Sequence, residues 1–306
     1  MSVPLVECVP NFSEGRDARL VEAIVSTMHV PGVHLLDYSM DPDHNRSIVT
    51  IAGEPQAVVE AAVRAAGKAA ELIDLTRQEG VHPRIGAADV VPFVPISGIR
   101  LEQCVLLARQ AGLEIWRRFG VPVYFYEAAA SRPDRANLDN IRQGQFEGLR
   151  DAVRKETARR PDLGGPGLHP TAGACAVGAR KFLIAWNIHF DSTDVAMVRA
   201  IARELRADAG GLKGVKAMGL VAHGRAQLSL SVTDFEATPL SQVYKAVTRL
   251  ARRHKTDPAE CEIVGLLPEA ACEREGDWMR QLNGFDEAAR VLERRLLSPM
   301  PWPGVK

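Results

Sequence analysis

Hydrophobic positions in the first hundred residues follow two patterns, short continuous runs and stripes spaced three or four residues apart. The runs predict strands over residues 5–12, 33–39, 46–53 and 88–96. The stripes predict amphipathic helices over residues 18–28 and from Pro55 onwards. This order of strand, helix, strand, strand, helix and strand is that of a ferredoxin-like βαββαβ unit. Pro92 and Pro95 predict that the last run forms a sheet edge or a frayed strand end.

The same order of elements returns in the second half of the chain. Strand-like runs occupy residues 182–190, 214–224, 226–235 and 259–268. Ser192 is placed to cap one helix, and Pro239 opens another. The duplication predicts the α+β class with two ferredoxin-like (βαββαβ) subdomains. Each such unit has one open sheet face, so we expect a cleft or tunnel between the subdomains to hold the ligand.

An additional segment connects the two units. Its pattern predicts a helix over residues 101–119, a strand over 121–130 and a polar stretch over 131–162 that is helical in its second part. Residues 163–181 follow and are rich in glycine and proline.

We place the domain boundary near the end of that glycine- and proline-rich stretch. The N-terminal subdomain is then residues 1–178 and the C-terminal subdomain residues 179–306. The tail from Pro299 is expected to wrap around the protein or to fray.

Composition and charge exclude several classes of protein. The chain has 306 residues, with 38 basic and 38 acidic side chains, so the basic excess of a nucleic-acid-binding protein is missing. No apolar run is long enough to cross a bilayer, and the start lacks the features of a signal peptide, so we expect a cytoplasmic protein. The five cysteines are scattered and form no C-x-x-C pair, which predicts reduced thiols and no metal site.

The loop GVHPRIGAAD, residues 80–89, carries the most specific local signal. Pro83 restricts His82 to extended backbone, and Gly80 and Gly86 allow turns on either side of it. A histidine in such a loop is expected to stay near solvent and to titrate near neutral pH, as a catalytic proton carrier does. The alternative is a structural histidine that is hydrogen-bonded to backbone.

Six segments of the chain, in order, resemble the glutamate formimidoyltransferases, also called formiminotransferases. They are LVECVPNFSEGRD, DHNRSIVT, GVHPRIGAADVVPFVPI, VPVYFYEAA, HPTAGACAVGARKFLIAWNI and GLKGVKAMG. The resemblance implies two ferredoxin-like subdomains with a folate tunnel between them, in a homodimer. The animal enzymes carry a fused cyclodeaminase. This chain ends at Lys306, so that second activity is expected to be absent.

The same resemblance implies a reaction in histidine degradation and one-carbon metabolism. N-formimidoyl-L-glutamate and tetrahydrofolate, the co-substrate, would give 5-formimidoyltetrahydrofolate and glutamate, without a metal. His82 matches the catalytic histidine of the family. Asp37 is the candidate to orient His82 or to meet the cationic amidinium. Family members often have an acidic residue two positions later, where this chain has Ser39, with Asp41 nearby.

Further residues are candidates for binding the substrates. They are Asn11, Asn45, Arg46 and Arg84 around the His loop, and Gly164, Gly165, His169, Thr171, Ala172, Gly173, Ala174, Lys213 and Lys216 for folate. Arg46 and Arg84 are suited to clamp a carboxylate, and the lysines to attract the glutamate tail of folate. The alternatives are a helix cap at Asn11, a solvated turn at Arg46, a loop role for His169 and a solvated hairpin edge at the lysines.

Two other functions fit the same sequence. The transferred group could be formyl, handled on 5-formyltetrahydrofolate by a glutamate formyltransferase or a cycloligase-like enzyme, because formyl and formimidoyl are nearly isosteric. The chain could also be a non-catalytic folate-binding module, because a fold alone does not fix a function.

Overall fold

The computed structural model describes residues 3–280, 282 and 285–304. The chain divides into an N-terminal unit, which ends at Arg180 and includes the segment from Pro299, and a C-terminal unit, Lys181–Ser298. The division lies two residues after the boundary that we placed from the sequence. The segment from Pro299, which we placed in the C-terminal subdomain, belongs instead to the N-terminal unit. Met300 donates its backbone N–H to the Leu35 carbonyl of that unit at 2.8 Å.

The N-terminal unit begins with the elements of one ferredoxin-like fold. Its strands are β1 (Leu5–Cys8), β2 (Asn11–Phe12), β3 (Val33–Asp41), β4 (Arg46–Gly53), β5 (Ala88–Ser97), β6 (Val123–Glu127) and β7 (Cys175–Ala179). Its α-helices are α1 (Ala18–Ser26), α2 (Pro55–Leu72), α3 (Leu101–Phe119), α4 (Leu138–Arg142) and α5 (Gln145–Lys155). Short 3₁₀ turns span Pro133–Arg135 and Thr157–Arg159.

The sheet of this unit runs β3, β4, β1 with β2, β5, β7 and β6. The pairings from β3 to β5 are antiparallel, as in a ferredoxin-like sheet, whereas β7 lies parallel to both β5 and β6. The sequence pattern did not predict β7. Its five residues, CAVGA, are small and entirely buried, so they show no alternation of polar and apolar positions.

Strand β5 is central, so the prediction that its prolines mark a sheet edge is wrong. Pro92 pairs with Gly178 of β7, and its carbonyl accepts the backbone N–H of Val9, which lies in the break between β1 and β2. The pairing with β7 extends only to Phe93. Pro95 therefore lies where β5 has one neighbour, and its missing N–H costs no hydrogen bond with β7.

Helices cover both faces of the N-terminal sheet. α1, α2 and α3 supply the apolar stripes that pack on one face in the main core. On the other face, beside β5, β6 and β7, a smaller core contains Ile141 of α4 and Leu149 of α5. This second layer brings α4 to the start of β5, which the chain enters from the His82 loop.

The C-terminal unit is a second ferredoxin-like fold, as predicted. Its strands are β8 (Ile184–Phe190), β9 (Val215–Ala222), β10 (Arg225–Val232) and β11 (Glu260–Val264), in the order β11, β8, β10, β9. Its helices are α6 (Val195–Leu205), α7 (Leu240–Arg253), α8 (Glu269–Glu275), α9 (Asp277–Arg280), α10 (Glu287–Arg290) and α11 (Leu292–Leu297). A 3₁₀ turn spans Ala207–Ala209.

One detail of this unit differs from the prediction. The N-cap of α6 is Asp194, whose carboxylate accepts the backbone N–H groups of Ala196 and Met197. Ser192 instead accepts the backbone N–H of Asp194 at 3.0 Å. The α+β class and the two ferredoxin-like subdomains are confirmed.

Candidate active site

The loop before β5 packs closely on the turn between β3 and β4. A Cβ atom at Gly80 would lie 2.3 Å from the His44 carbonyl oxygen, so only glycine fits there. Val81 donates its backbone N–H to the Asp43 carbonyl at 3.1 Å. These contacts bring the rings of His44 and His82 to a centroid distance of 5.9 Å.

The hydrogen bond of His82 defines which ring nitrogen is available. Its Nδ1 lies 2.8 Å from the carbonyl oxygen of Pro83. A carbonyl oxygen only accepts hydrogen bonds, so Nδ1 carries the proton of the neutral ring and Nε2 holds the lone pair. The backbone-bonded histidine and the proton acceptor are therefore compatible, because they use different nitrogens.

A buried ionic cluster lies beside His82. Arg46 donates from Nη1 to Oδ2 of Asp89 at 2.7 Å, and Nη2 of Arg142 donates to the same oxygen. The other carboxylate oxygen of Asp89 accepts the backbone N–H of Ile85 at 2.8 Å. Asp89 is fully buried, and the side chains of Arg46 and Arg142 are 7% and 11% exposed.

The pKa values of this cluster show that its charges are retained. Burial alone would raise the pKa of Asp89, but Arg142 and Arg46 outweigh it and hold that pKa well below its usual range. Burial lowers the pKa of Arg46 to about 10, with Asp89 acting in the opposite direction. Both groups are therefore ionised at neutral pH.

The sequence suggested that His82 titrates near neutral pH, but in the structure the pKa of His82 is lowered. Burial lowers its pKa well below the usual 6.5, because a partly enclosed ring loses the water that would stabilise its cation. The cations of Arg46 and Arg142 lower the pKa further. Asp89 opposes them, so a buried carboxylate also acts on this ring. At neutral pH the imidazole is uncharged and ready to accept a proton.

The predicted folate stretch and the His82 loop lie side by side. Ala87 donates its backbone N–H to the Ala172 carbonyl at 2.9 Å, and Ala174 donates to the Ile85 carbonyl at 2.9 Å. Gly86 and Gly173 pair between these bonds. Two segments far apart in sequence are thus joined at the start of β5.

We expect Gly173→Ala to destabilise the protein more than a matched glycine substitution does. The new Cβ would lie 2.1 Å from the Ile85 carbonyl oxygen, at a residue with φ of +69°. Gly120→Ala is the control, because its φ of +66° imposes similar strain while no atom lies within 4 Å of the added carbon. The difference in the free energy of unfolding in urea should be about 1–3 kcal/mol. Equal losses of stability in the two variants would show that the His82 loop and residues 172–174 can move apart at no cost in free energy.

Asn11 and Asn45, two of the predicted substrate-binding residues, form hydrogen bonds to other parts of the protein within the site. Oδ1 of Asn11 accepts from Nε and Nη2 of Arg46 at 3.0 and 2.9 Å. Asn45 donates to the Glu79 carbonyl at 2.9 Å and accepts the backbone N–H of Gly15 at 3.0 Å. Asn11 is not the cap of α1, since that cap is Asp17. The two amides orient Arg46 and hold the loop before His82.

Arg84 has no free donor for a substrate carboxylate. Its Nε and Nη2 donate to Gln78, and its two terminal nitrogens also form a bidentate pair with Glu147 at 2.7 and 2.8 Å. Nη1 makes a further bond of 3.3 Å to Gln145. All five N–H groups of the guanidinium are used. Arg84 therefore fastens the His loop to α5, and the predicted carboxylate clamp would require one of these bonds to break.

His169 organises the folate stretch from within. Its Nδ1 accepts the backbone N–H of Ala172 at 3.0 Å and, more weakly, that of Thr171 at 3.4 Å. Burial lowers the pKa of His169. Gly164 lies against the indole of Trp116, and Gly165 lies against Pro161.

The remaining predicted residues lie on strands or next to one. Asp37 sits in β3 opposite Thr50 of β4. Lys216 is in β9 opposite Ser231, and Lys213 precedes that strand as an exposed side chain.

Sequence reasoning did not assign site roles to Asp89, Arg142 and His44. Asp89 and His44 occur in matched segments, GVHPRIGAAD and DHNRS, so the signal was present. Arg142 lies in the polar stretch before the folate loop, 53 residues from Asp89, and nothing in its local pattern indicates a buried side chain.

Within the residues that the structure describes, no group of three or more His, Cys, Asp or Glu side chains is arranged to hold a metal ion. Over the same residues, no helix is both long enough and apolar enough to cross a membrane.

Comparison with known proteins adds independent findings. The family described as "Formiminotransferase domain, N-terminal subdomain" matches residues 5–180, and "Formiminotransferase domain" matches residues 185–291. A glutamate formimidoyltransferase of Streptococcus pyogenes serotype M1 is 40% identical over 296 residues, which are 96% of this chain and 99% of that protein. One from Thermoplasma acidophilum is 43% identical over 300 residues, covering 95% and 97%.

The formimidoyltransferase-cyclodeaminase of Mus musculus is 41% identical over 273 residues. The match covers 86% of this chain and 50% of the mouse protein, so the chain spans about half of that relative.

Proposed function

The chain belongs to the formiminotransferase family, and we propose that it is an enzyme that transfers the formimidoyl group of N-formimidoyl-L-glutamate to N5 of tetrahydrofolate, releasing glutamate. The observation that carries this function is the similarity, at 40% and 43% identity over nearly the whole chain, to proteins named glutamate formimidoyltransferase. The arrangement around His82 supports the proposal, because it offers an uncharged imidazole that can carry a proton.

The reaction moves an amidine carbon from one nitrogen to another. The lone pair of N5 attacks the formimidoyl carbon, and the electrons of the C=N bond move to its terminal nitrogen, which gives a tetrahedral adduct. N5 then loses its proton. The bond from carbon to the glutamate nitrogen breaks as that nitrogen gains a proton, so glutamate leaves as an amine and the C=N bond forms again.

His82 is suited to carry this proton. Its Nε2 lone pair takes the proton from N5, while the bond from Nδ1 to the Pro83 carbonyl holds the ring in place. The imidazolium that forms then protonates the departing nitrogen. Asp89, which acts on the His82 ring, is our candidate to stabilise that transient cation. The role of Asp37 stays a prediction. General acid–base catalysis of this kind contributes roughly 10²–10⁴ in rate.

The pH dependence of the reaction follows from the lowered pKa of His82. A base must be unprotonated to act, and a lowered pKa keeps it so down to lower pH. We expect kcat/KM for formimidoylglutamate, at saturating tetrahydrofolate, to be limited by His82 protonation only well below pH 6.5. The groups that set this limit are Arg46, Arg142, Asp89 and His44. A midpoint for this ionisation at or above pH 6.5 would contradict the assignment.

One assay separates the candidate functions. Purified protein is mixed with tetrahydrofolate and either N-formimidoyl-L-glutamate or N-formyl-L-glutamate, and both the absorbance of the folate product and the released glutamate are followed. Turnover with the formimidoyl donor supports the proposal. Turnover with the formyl donor alone would favour formyl transfer, and folate binding without turnover of either donor would favour a binding module.

The folate-binding role of residues 164–174 and of Lys213 and Lys216 stays a prediction, as do the homodimer and the cytoplasmic location. The position of Ala172, Gly173 and Ala174 beside the His82 loop supports the first of these, because N5 of the pterin must reach Nε2.

A further inference from the structure

Arg142 is a buried cation that the reaction described above does not use. It is the last residue of α4, and Ile141 before it packs in the second core against the sheet. Its Nη2 bonds to Asp89. Its Nε is buried and has no hydrogen-bond partner among the described residues.

The charges around Asp89 do not balance. Two guanidinium groups, those of Arg46 and Arg142, share one carboxylate oxygen. Because His82 is neutral at working pH, this group of side chains carries one excess positive charge. Excess charge away from water is unfavourable unless an anion compensates it. The cluster is thus built for a further negative group.

Free donors are available to bind that group. Arg46 uses Nη1 once, for Asp89, and Nε and Nη2 for Asn11, so one N–H remains on each terminal nitrogen. Arg142 keeps its Nε–H beside its bond to Asp89. Guanidinium groups are the side chains best matched to a carboxylate, because their N–H groups form parallel pairs of bonds.

We propose that Arg142, together with Arg46, binds the α-carboxylate of formimidoylglutamate and so fixes the nitrogen that leaves beside His82. This inference rests on the proposed function. The α-carboxylate is attached to the carbon that bears the formimidoyl nitrogen, whereas the side-chain carboxylate lies beyond two methylene groups. When the amidine lies next to His82, the carboxylate that can also lie there is therefore the α-carboxylate.

The glutamate tail of folate is a second source of carboxylate. It is separated from N5 by the aminobenzoyl group, so it lies far from His82 when N5 is in place. The experiment therefore includes tetrahydropteroate, which lacks this tail, as an alternative acceptor.

The test is steady-state kinetics of Arg142→Gln with two donors. One is N-formimidoyl-L-glutamate, and the other is N-formimidoyl-4-aminobutanoate, which lacks only the α-carboxylate. We expect the substitution to raise KM for the first donor by about tenfold or more, which is the effect of losing one charge-assisted contact. For the second donor, and for tetrahydrofolate, the change should be below about twofold, since the lost contact is not made there.

Controls separate this effect from damage to the fold. Arg142→Gln leaves Asp89 paired with Arg46, so the protein should still fold, as circular dichroism would verify. Arg142→Lys keeps the positive charge but loses the paired N–H groups of the guanidinium, so it should raise KM for formimidoylglutamate less than Arg142→Gln does. It replaces Arg142→Gln in the test if that variant does not fold. Arg154→Gln, an exposed arginine of α5, should leave both donors unaffected.

Three results would overturn the inference. One is an unchanged KM for formimidoylglutamate, and another is an equal penalty on both donors. The third is a raised KM for tetrahydrofolate that disappears with tetrahydropteroate, since it would assign the anion to the folate tail. Absence of turnover in the unmodified protein would instead overturn the proposed function, and this inference with it.

Discussion

His82→Ala is expected to lower kcat by roughly 10²–10⁴ while folate still binds. The substitution removes the Nε2 lone pair that accepts the N5 proton, and with it the donor for the departing nitrogen. It also removes the bond between Nδ1 and the Pro83 carbonyl, but that oxygen lies in a partly exposed loop. The measurement is kcat with saturating substrates, together with the folate dissociation constant by fluorescence or calorimetry.

His34→Ala is the matched control for this experiment. His34 is an exposed histidine of β3 in the same unit, so its removal should change neither kcat nor folate binding. A His82→Ala enzyme with near-normal kcat would remove His82 from the mechanism. Loss of folate binding together with kcat would make His82 a binding residue rather than a proton carrier.

Asp89→Asn should cost about 3–5 kcal/mol in the free energy of unfolding, the largest stability effect that we expect. The amide keeps the shape of the carboxylate but leaves Arg46 and Arg142 facing each other without a counter-charge in a buried site. Activity should fall with stability, because both guanidiniums and the Ile85 end of the His loop are held by this one side chain. Chemical denaturation in urea measures the change.

The loss of stability in Asp89→Asn should depend on pH in a defined direction. The pKa of Asp89 is lowered in the folded protein from a usual 3.8, so the stability it contributes is fully present above that pH. It is lost as pH falls below about 4, when the unfolded chain takes up the proton first. The difference in the free energy of unfolding between the native protein and Asp89→Asn should therefore be constant near neutral pH and become smaller in acid.

Asp139→Asn provides the comparison for Asp89→Asn. Asp139 is an exposed carboxylate in the first turn of α4, and surface changes of this kind usually stay within about 0.5 kcal/mol. If Asp89→Asn were as mild as Asp139→Asn, the two arginines would have to be compensated by other groups.

The duplicated fold could be predicted from the sequence because its elements carry strong periodic patterns. The stripe of α2 and the alternation of Leu228, Leu230 and Val232 in β10 each point to one structure. Strand β7 could not be predicted, since its small buried residues have no such alternation. The position of Pro92 was misjudged for a related reason: a break in the neighbouring strand lets a central strand accept proline, and no local pattern encodes that break.

The candidate site was predictable only in part. The glycine and proline residues around His82 mark a constrained loop, and the close approach of Gly80 to His44 explains why glycine is needed there. Arg142 depends on tertiary structure, because the packing of Ile141 in the second core is what delivers its neighbour to Asp89. Arg84 was expected to bind substrate, and the sequence could not show that Gln78 and Glu147 would take up its donors.

The return of the last residues to the first unit has a consequence for how this chain is made. Met300 bonds to Leu35, and the ring of Trp302 lies 5.4 Å from that of His29 in a tilted contact, so the N-terminal unit receives its final covering only after the other unit has been synthesised. Nascent chains fold largely from the N-terminus as they emerge from the ribosome. Until the segment from Pro299 has been synthesised, the apolar surface beneath Trp302 is uncovered, so the newly made N-terminal unit exposes part of its core for an interval.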